Sequence, residues 1–557
     1  MAIIDVRNLS VKINGETVLQ DINIKFNTQE RILILGESGS GKSTLLLSLM
    51  GIIQRDDNAD VTGDILVDGI SVNDMQLSDT ARIFGIVFQN PESQFCSLYP
   101  KDEVAFGLEN QCIDPDIMPE IINKSMEDFD FPKEKVNHLI NTLSGGELQR
   151  LALSSISAID SKMLLLDEPT ANLDPKGRRQ VVKSSKKAGD KGKGLMVVEH
   201  NLENWISFLD RLIVIDRGGR ILCDGDIREM FYKHGELLRE KGIWCPHSLR
   251  IYWELKDKGH IFNGVPCSIG ELKKEKISQT LLKKVIEDNY KTPNKTANIG
   301  KRPILELEKL SAGYTKDRRI LKEIDLTVNE GDFFALVGGN GSGKSTLSKV
   351  ILRLVDISSG SLSISGKKLT VYKERELYDL IGYVFQNPEH QFLEDTVWSE
   401  VAYSIDQLYF DEKNRNEKVN SLLKTFHLDN YAANNPFSLS GGQKRRLSVA
   451  TMLVGDRKIL ILDEPTFGQD EKNTIMLMKK LTELNQQGMT IFMITHDLDL
   501  VDSYANRIAV MSQGEILYNG DTEELWNENE IIRKSGLDLP YRMKLMNEVN
   551  IYGHETF

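Results

Sequence analysis

No run in the sequence approaches 18 apolar residues, so no segment reads as a membrane-spanning helix. The opening, Met1-Ala-Ile-Ile-Asp5, lacks the basic stretch and apolar core of a secretory signal. Cysteine is sparse: Cys96, Cys112, Cys223, Cys245 and Cys267, with no Cys-x-x-Cys spacing. That speaks against a disulfide framework or a thiolate metal site, and the five read as free thiols in a reducing cytoplasm. Positive charge is short too. A net charge of −13 argues against a surface that coats nucleic acid, though not against a local basic patch. What is left, 40% hydrophobic and 27% charged residues, is ordinary for a soluble globular chain. At 557 residues the chain exceeds a single core, so two or more domains are expected.

The most informative stretch is Gly36-Glu37-Ser38-Gly39-Ser40-Gly41-Lys42-Ser43-Thr44. The apolar run Arg31 to Leu35 before it reads as a buried strand, and Leu45 to Met50 after it as the first turns of a helix. Strand, G-x-x-x-x-G-K-[ST], then helix is a phosphate-binding loop in its proper setting. Its glycines let successive main-chain N–H groups turn toward phosphate oxygens, and the helix N-terminus adds partial positive charge. Lys42 is placed to reach the β- and γ-phosphates and Ser43 to hold Mg²⁺. The device recurs as Gly338-Gly339-Asn340-Gly341-Ser342-Gly343-Lys344-Ser345-Thr346, after Phe333 to Val337.

An internal repeat runs through the whole chain. Val87-Phe-Gln-Asn-Pro91 matches Val384-Phe-Gln-Asn-Pro388, and Leu143-Ser-Gly-Gly-Glu147 matches Leu439-Ser-Gly-Gly-Gln443. Leu164-Leu-Leu-Asp-Glu-Pro-Thr170 matches Leu460-Ile-Leu-Asp-Glu-Pro-Thr466, and Val198-Glu-His200 matches Ile494-Thr-His496. The spacing drifts only from 302 positions at the two lysines to 296 at the two histidines, so insertions are few and small. The predicted fold is α/β: tandem nucleotide-binding domains, each with a mainly parallel core sheet, an antiparallel β layer, a helical subdomain between the glutamine and the Leu-Ser-Gly-Gly run, and a short helical tail. The expected boundaries are 1–232 and 233–271 for the first domain and its tail, 272–301 for a linker, and 302–526 and 527–557 for the second pair. The lysine-rich start of the linker, Leu272 to Lys284, has helix composition. Thr292 to Gly300 has that of an exposed tether.

Together these motifs resemble the ATP-binding cassette (ABC) family over nearly the whole chain. Leu-Ser-Gly-Gly-[Glu/Gln] about 20 residues before an apolar strand ending in Asp-Glu separates that family from kinases, GTPases and helicases. Ser144 and Ser440 read as N-caps, with Gly146 and Gly442 leaving room for phosphate oxygens and Glu147 and Gln443 closing the runs. The resemblance implies ATP hydrolysis with Mg²⁺ and assigns roles. Asp167 and Asp463 reach the metal, with Ser43, Ser345, Gln89 and Gln386. Glu168 and Glu464 polarise the attacking water. His200 and His496 contact the γ-phosphate and the glutamate. Gln89 and Gln386 sit where the helical subdomain hinges, so they can report γ-phosphate loss. In the family, the signature run of one cassette covers nucleotide held by the other. Lys42, Glu168 and His200 would then work with Ser440 and Gly442, and Lys344, Glu464 and His496 with Ser144 and Gly146. A tether makes that pairing intramolecular, at an effective concentration on the order of millimolar. Tyr314 is placed to stack adenine. The first half has no aromatic residue in Val11 to Gly15, so stacking there is expected to be weaker by about 1 kcal/mol. Ala171-Asn-Leu-Asp174 and Phe467-Gly-Gln-Asp470 also differ, yet both halves keep glutamate and histidine, so two competent sites are expected.

Phe88-Gln-Asn-Pro-Glu-Ser-Gln-Phe95, Phe385-Gln-Asn-Pro-Glu-His-Gln-Phe392, the Phe467-Gly-Gln-Asp470 loop and the tails resemble the ATPases of energy-coupling factor (ECF) transporters. Those prokaryotic importers take up vitamins, their precursors, and cobalt or nickel ions. The resemblance implies an integral membrane coupling protein and a substrate-binding membrane subunit as partners, no nucleic acid, and a peripheral place on the cytoplasmic face of the membrane. Glu92, Glu103, Glu389 and Glu400 either meet arginines of the coupling protein or form a solvated acidic face. Two other readings share the chemistry. One is a soluble tandem cassette acting on the ribosome, disfavoured by the charge and by the missing Asn-His-Leu-Asp. The other is a fused sugar-importer ATPase, disfavoured by the Phe-Gln-Asn-Pro context and the tails.

Overall fold

In a computed structural model the chain divides into two compact units, Met1–Ser278 and Gln279–Phe557. The structure describes residues 1–171, 173–275, 277–290, 302–315, 318–406, 412–455 and 457–552. The Thr292 to Gly300 tether, Asn172 and the last residues of the C-terminal tail lie outside them.

The first unit holds two sheets. One is antiparallel and four-stranded, in the order Glu16–Asn27, Ile3–Ile13, Ala59–Val67, Ile70–Ser71. Along Glu16–Asn27 the residues Ile22, Ile24 and Phe26 are buried while Asn23 and Lys25 are exposed, the period-two pattern of a strand with one face in the core. The other sheet has six strands, in the order Ile221–Asp226, Arg211–Ile215, Arg31–Gly36, Gly194–Val198, Met163–Asp167, Phe84–Val87. All neighbours are parallel except the first pair. Met163–Asp167 and Gly194–Val198 are buried at every position, which is why they read as continuous apolar runs. One apolar cluster fills the space between the two sheets, and a second lies on the opposite face of the parallel sheet. A third, built on Val104, Leu108, Ile122 and Leu151, holds the helical subdomain together.

The second unit repeats this plan. Its parallel sheet runs Glu515–Asp521, Arg507–Ser512, Phe333–Val337, Thr490–Ile494, Ile459–Asp463, Ile381–Val384. The predicted α/β architecture, with both sheet types and a helical insertion, is therefore present twice.

After the last strand of the first unit, Ile227–Glu240, His247–Asp257 and Ile269–Leu272 form the helical tail. Phe231, Leu238 and Leu249 sink into the core, and Arg228 closes the tail on Glu271 at 2.7 Å. Helix Ile227–Glu240 runs across position 232. The stretch read as linker contains helix Gln279–Asn289, which packs with Val285 and Ile286 fully buried against the C-terminal helix Tyr541–Tyr552. The five cysteines form no disulfide, and Cys96 and Cys112 are exposed. Among the described residues no helix is long and apolar enough to cross a membrane.

Candidate functional site

In each unit the glycine loop leaves the carboxyl end of the third strand of the parallel sheet, where open α/β sheets place their ligands. Gly36 and Gly338 are required there by space. A Cβ on Gly36 would lie 2.3 Å from the Ile215 carbonyl oxygen, and one on Gly338 2.1 Å from that of Met511. Gly39 and Gly41, like Gly341 and Gly343, adopt positive φ, so the loop curls its N–H groups inward before helices Lys42–Leu49 and Lys344–Ile351 begin. Ser43, Thr44, Ser345 and Thr346 occupy the first turns of those helices. Lys42 Nζ donates to the Gly36 and Glu37 carbonyls at 3.0 and 2.9 Å. Lys344 Nζ does the same to Gly338 and Gly339, at 2.9 and 3.0 Å.

Far from the loop in sequence, but brought near it by separate strands of the same sheet, come the carboxylates. Asp167 ends Met163–Asp167 and Asp463 ends Ile459–Asp463. Burial pushes Asp167 up to about 6, against a hydrogen bond from Ser43, with Glu168 adding to the rise. Burial likewise raises Asp463 to about 6, with Glu464 beside it, although the Tyr383 hydroxyl donates to it at 3.2 Å. Glu168 and Glu464 follow, each with φ of 47°, a left-handed backbone unusual for a side-chain-bearing residue.

The structure brings Gln89, Glu168 and His200 together. Gln89 Nε2 donates to Glu168 Oε2 at 2.8 Å, and His200 Nε2 lies 3.1 Å from Oε1. Burial alone would raise the Glu168 carboxyl. His200 beside it, then Lys42 and the Gln89 hydrogen bond, outweigh it and hold the group below the usual range. In the second unit His496 Nδ1 lies 2.8 Å from Glu464, and Thr495 Oγ1 donates to the same carboxylate at 3.1 Å. Burial is again overcome there, chiefly by His496, and Glu464 too is lowered.

The signature runs cap helices, as their composition predicts. Ser144 precedes Gly145–Ala158 and its N–H donates to Glu147 at 2.8 Å. Ser440 precedes Gly441–Met452 and exchanges bonds with Gln443, N–H to Oε1 at 2.7 Å and Oγ from N–H at 3.4 Å. Gly442 has no room for a Cβ, which would meet Asn473 Nδ2 at 2.8 Å; Gly146 has ordinary clearance. Asp174 and Asp470 cap the next helices through Gly177 and Asn473. Tyr314, 57% exposed, stands beside the second glycine-loop helix, with Lys349 Nζ 5.6 Å from its ring centre and 3.3 Å from its hydroxyl.

Two of the four acidic residues considered for a partner contact are otherwise engaged. Glu103 is buried and accepts the Cys96 and Ser97 N–H groups. Glu400 is buried and accepts those of Leu393 and Glu394. Both pin the loop after the glutamine through Oε2, and neither is at the surface. Glu389 pairs with Lys444 at 2.5 Å, and Glu92 is exposed.

Three site residues escape sequence reasoning. Buried Glu199 accepts from Thr170 Oγ1 at 2.5 Å and from the His200 and Asn201 N–H groups, tying the histidine turn to the Asp-Glu-Pro-Thr turn. Burial raises its carboxyl. Buried Arg445 donates to the main-chain carbonyls of Phe385 and Gln386, anchoring the second glutamine loop. Its counterpart in the repeat is Gln149, whose buried Nε2 has no hydrogen-bond partner among the described residues. Tyr383 stands where the first half has Ile86. The available signal was the mismatch between halves at positions that otherwise repeat.

The chain belongs to the ABC transporter family, whose model matches residues 19–171 and 321–467. It is an ABC ATPase, binding ATP, with two such domains in tandem. It is similar to a Bacillus subtilis protein named "Putative HMP/thiamine import ATP-binding protein YkoD", at 37% identity over 96% of this chain and 94% of that one. It is also similar to an ABC transporter ATP-binding protein of Methanosarcina mazei, at 32% identity over 97% and 92% of the two chains. A solved structure, cbiO1 from Clostridium perfringens, part of the ABC transporter complex cbiONQ, matches 44% of this chain and 100% of its own at 34% identity, with a TM-score of 0.40.

Proposed function

We propose that the chain is the energy-coupling ATPase of an ECF-type importer, driving uptake of a vitamin, a vitamin precursor or a transition-metal ion from the cytoplasmic face of the membrane. The Bacillus subtilis relative, whose name includes HMP/thiamine import, supports an import role because it aligns across both cassettes. The observation that carries the membrane partner is a set of large apolar side chains left in solvent around the glutamine loops. Leu98, Tyr99 and Phe106 are exposed in the first unit, and Leu393, Tyr403 and Phe437 in the second. Grouped exposure of this kind marks a protein-binding surface. An integral coupling protein fits it, with a separate membrane subunit selecting the cargo.

In the chemistry we propose, Lys42 and Lys344 with the loop N–H groups bind the β- and γ-phosphates. Ser43 bonded to a buried, under-neutralised Asp167 is an oxygen donor set that suits a hard divalent cation. Ser43, Gln89 and Asp167, and in the other unit Ser345, Gln386 and Asp463, would hold Mg²⁺, which when bound neutralises phosphate charge. Glu168 and Glu464, kept ionised by their histidines, are ready to accept a proton from the attacking water. His200 and His496 hold those carboxylates in place. Each signature turn, Ser144 or Ser440, is proposed to act on nucleotide bound by the opposite loop.

The test is fractionation of cells producing the tagged chain. Recovery in membranes with small hydrophobic proteins, lost when Phe106 and Tyr403 are both changed to Glu, is the expected result. Pelleting with ribosomes, and absence from membranes, would overturn the reading in favour of a translation role.

A further inference from the structure

A cavity of about 630 Å³ opens in the first unit at the amino ends of the parallel strands, away from the glycine loop. One wall is helix Met118–Asp128 of the helical subdomain and the other helix Pro175–Asp190 of the core. Lys124, Lys162, Lys187, Lys191 and Lys193 line it. Only Asp128 and Asp160 oppose them, which leaves three positive charges unbalanced in a chain of net charge −13. Asp128 takes Lys187 at 3.1 Å and Lys191 at 2.7 Å, and Lys193 lies 3.4 Å from Asp160. Lys124 and Lys162 make no ion pair among the described residues. Ser161, which also lines the cavity, is 1% exposed, and its Oγ has no hydrogen-bond partner among the described residues. A buried hydroxyl left unmatched calls for an acceptor.

The internal duplication supplies the control. Strands Met163–Asp167 and Ile459–Asp463 correspond, and the residue two places before each is Ser161 in one unit and Arg457 in the other. The Arg457 guanidinium fills its own surroundings and donates to the Met452 carbonyl. Lys187, Lys191 and Lys193 correspond to Glu483, Gln487 and Met489. The fold therefore does not need these cations, since the same helix and strand form without them.

We propose that this cavity is a second binding site, distinct from the nucleotide loops, for a small molecule bearing a diphosphate group. A volume of this size suits a metabolite-sized ligand. A diphosphate ester, with about three negative charges near neutral pH, matches the unbalanced lysines. Lys193 and the Ser161 hydroxyl hold the inner phosphate, and Lys187 and Lys191 the outer one. Burial already lowers the Lys193 ammonium below its ordinary range, so an anion there gains from an incompletely compensated charge. Occupancy draws Lys187 and Lys191 from Asp128 and so releases helix Met118–Asp128 from helix Pro175–Asp190. A ligand that prefers the released arrangement shifts the helical subdomain toward it.

Isothermal titration of inorganic pyrophosphate into the full chain tests this, with both glycine loops saturated by Mg²⁺ and a non-hydrolysable ATP analogue, and with sodium sulfate at equal ionic strength as comparison. The expected result is one pyrophosphate per chain, bound at least tenfold tighter than sulfate. The double change Lys187→Glu, Lys191→Gln, copied from the second unit, should weaken it at least tenfold while leaving the analogue's affinity and the melting temperature unchanged. No extra site in the wild type, equal binding by sulfate, or wild-type affinity in the double variant would overturn the proposal. The double variant alters only exposed positions, so a loss of binding reports on the site and not on the fold.

Discussion

Glu168 and Glu464 are each largely enclosed, with side chains 13% and 12% exposed, held ionised, and gripped by a histidine. Changing either to Gln removes the proton acceptor while keeping shape and most hydrogen bonds. Each change should lower turnover by about 10²–10³-fold with ATP affinity intact, and the double change should abolish it; normal hydrolysis by the double variant would remove the glutamates from that role. Tyr314→Ala should weaken nucleotide binding at the second loop by about 1 kcal/mol, roughly fivefold, and leave the first loop unaffected, as read by fluorescent-nucleotide titration of each site. The glycine loops, acidic strand ends and histidines could be read in the sequence because their spacing is local and repeated. Glu199 and Arg445 could not. Their partners, Thr170 and the carbonyls of Phe385 and Gln386, lie 29 to 60 residues away, and only the folded sheet makes them neighbours.

Among the elements, the C-terminal helix Tyr541–Tyr552 is fastened by charge. Arg542 reaches Asp502 through two bonds of 2.7 Å, and Asp502 is buried and also accepts from Trp526. Arg542→Ala strands that carboxylate and should destabilise the second unit by about 3 kcal/mol in denaturant melts. At the start of the same contact the Asp499 carboxyl accepts the Tyr541 N–H, and burial with Asp497 beside it raises the acid from 3.8 to about 7. The folded unit therefore holds this proton more tightly than the unfolded chain does. Stability from this group is complete below pH 4 and is lost as pH rises toward 7, with a slope of up to about 1.4 kcal/mol per pH unit. Asp499→Asn should flatten that part of the stability–pH profile; an unchanged slope would assign it elsewhere. The strands and main helices followed from their periodicity. Helix Gln279–Asn289 was harder to place, because a lysine-rich amphipathic stretch has the same composition whether it tethers two bodies or lies on one.

For the molecule as a whole, the decisive fact is duplication with divergence. Both units carry complete sheets and their own apolar cores. Residues 1–278 and 279–557 made as separate chains should each fold cooperatively and bind ATP. If paired action of the two cassettes is right, hydrolysis should be at least tenfold lower in either fragment alone and should return on mixing. Full activity in a lone fragment would argue for independent engines. Finally, the second unit is closed by its own two chain ends, Gln279–Asn289 packing against Tyr541–Tyr552. On the ribosome, the first unit is complete when half the message has been read. Val285 and Ile286, by contrast, emerge early and find their cover only when the last codons are translated. A transcript cut short before codon 541 thus yields a protein with both glycine loops intact and an uncovered apolar stripe at its middle, an address for proteases and chaperones.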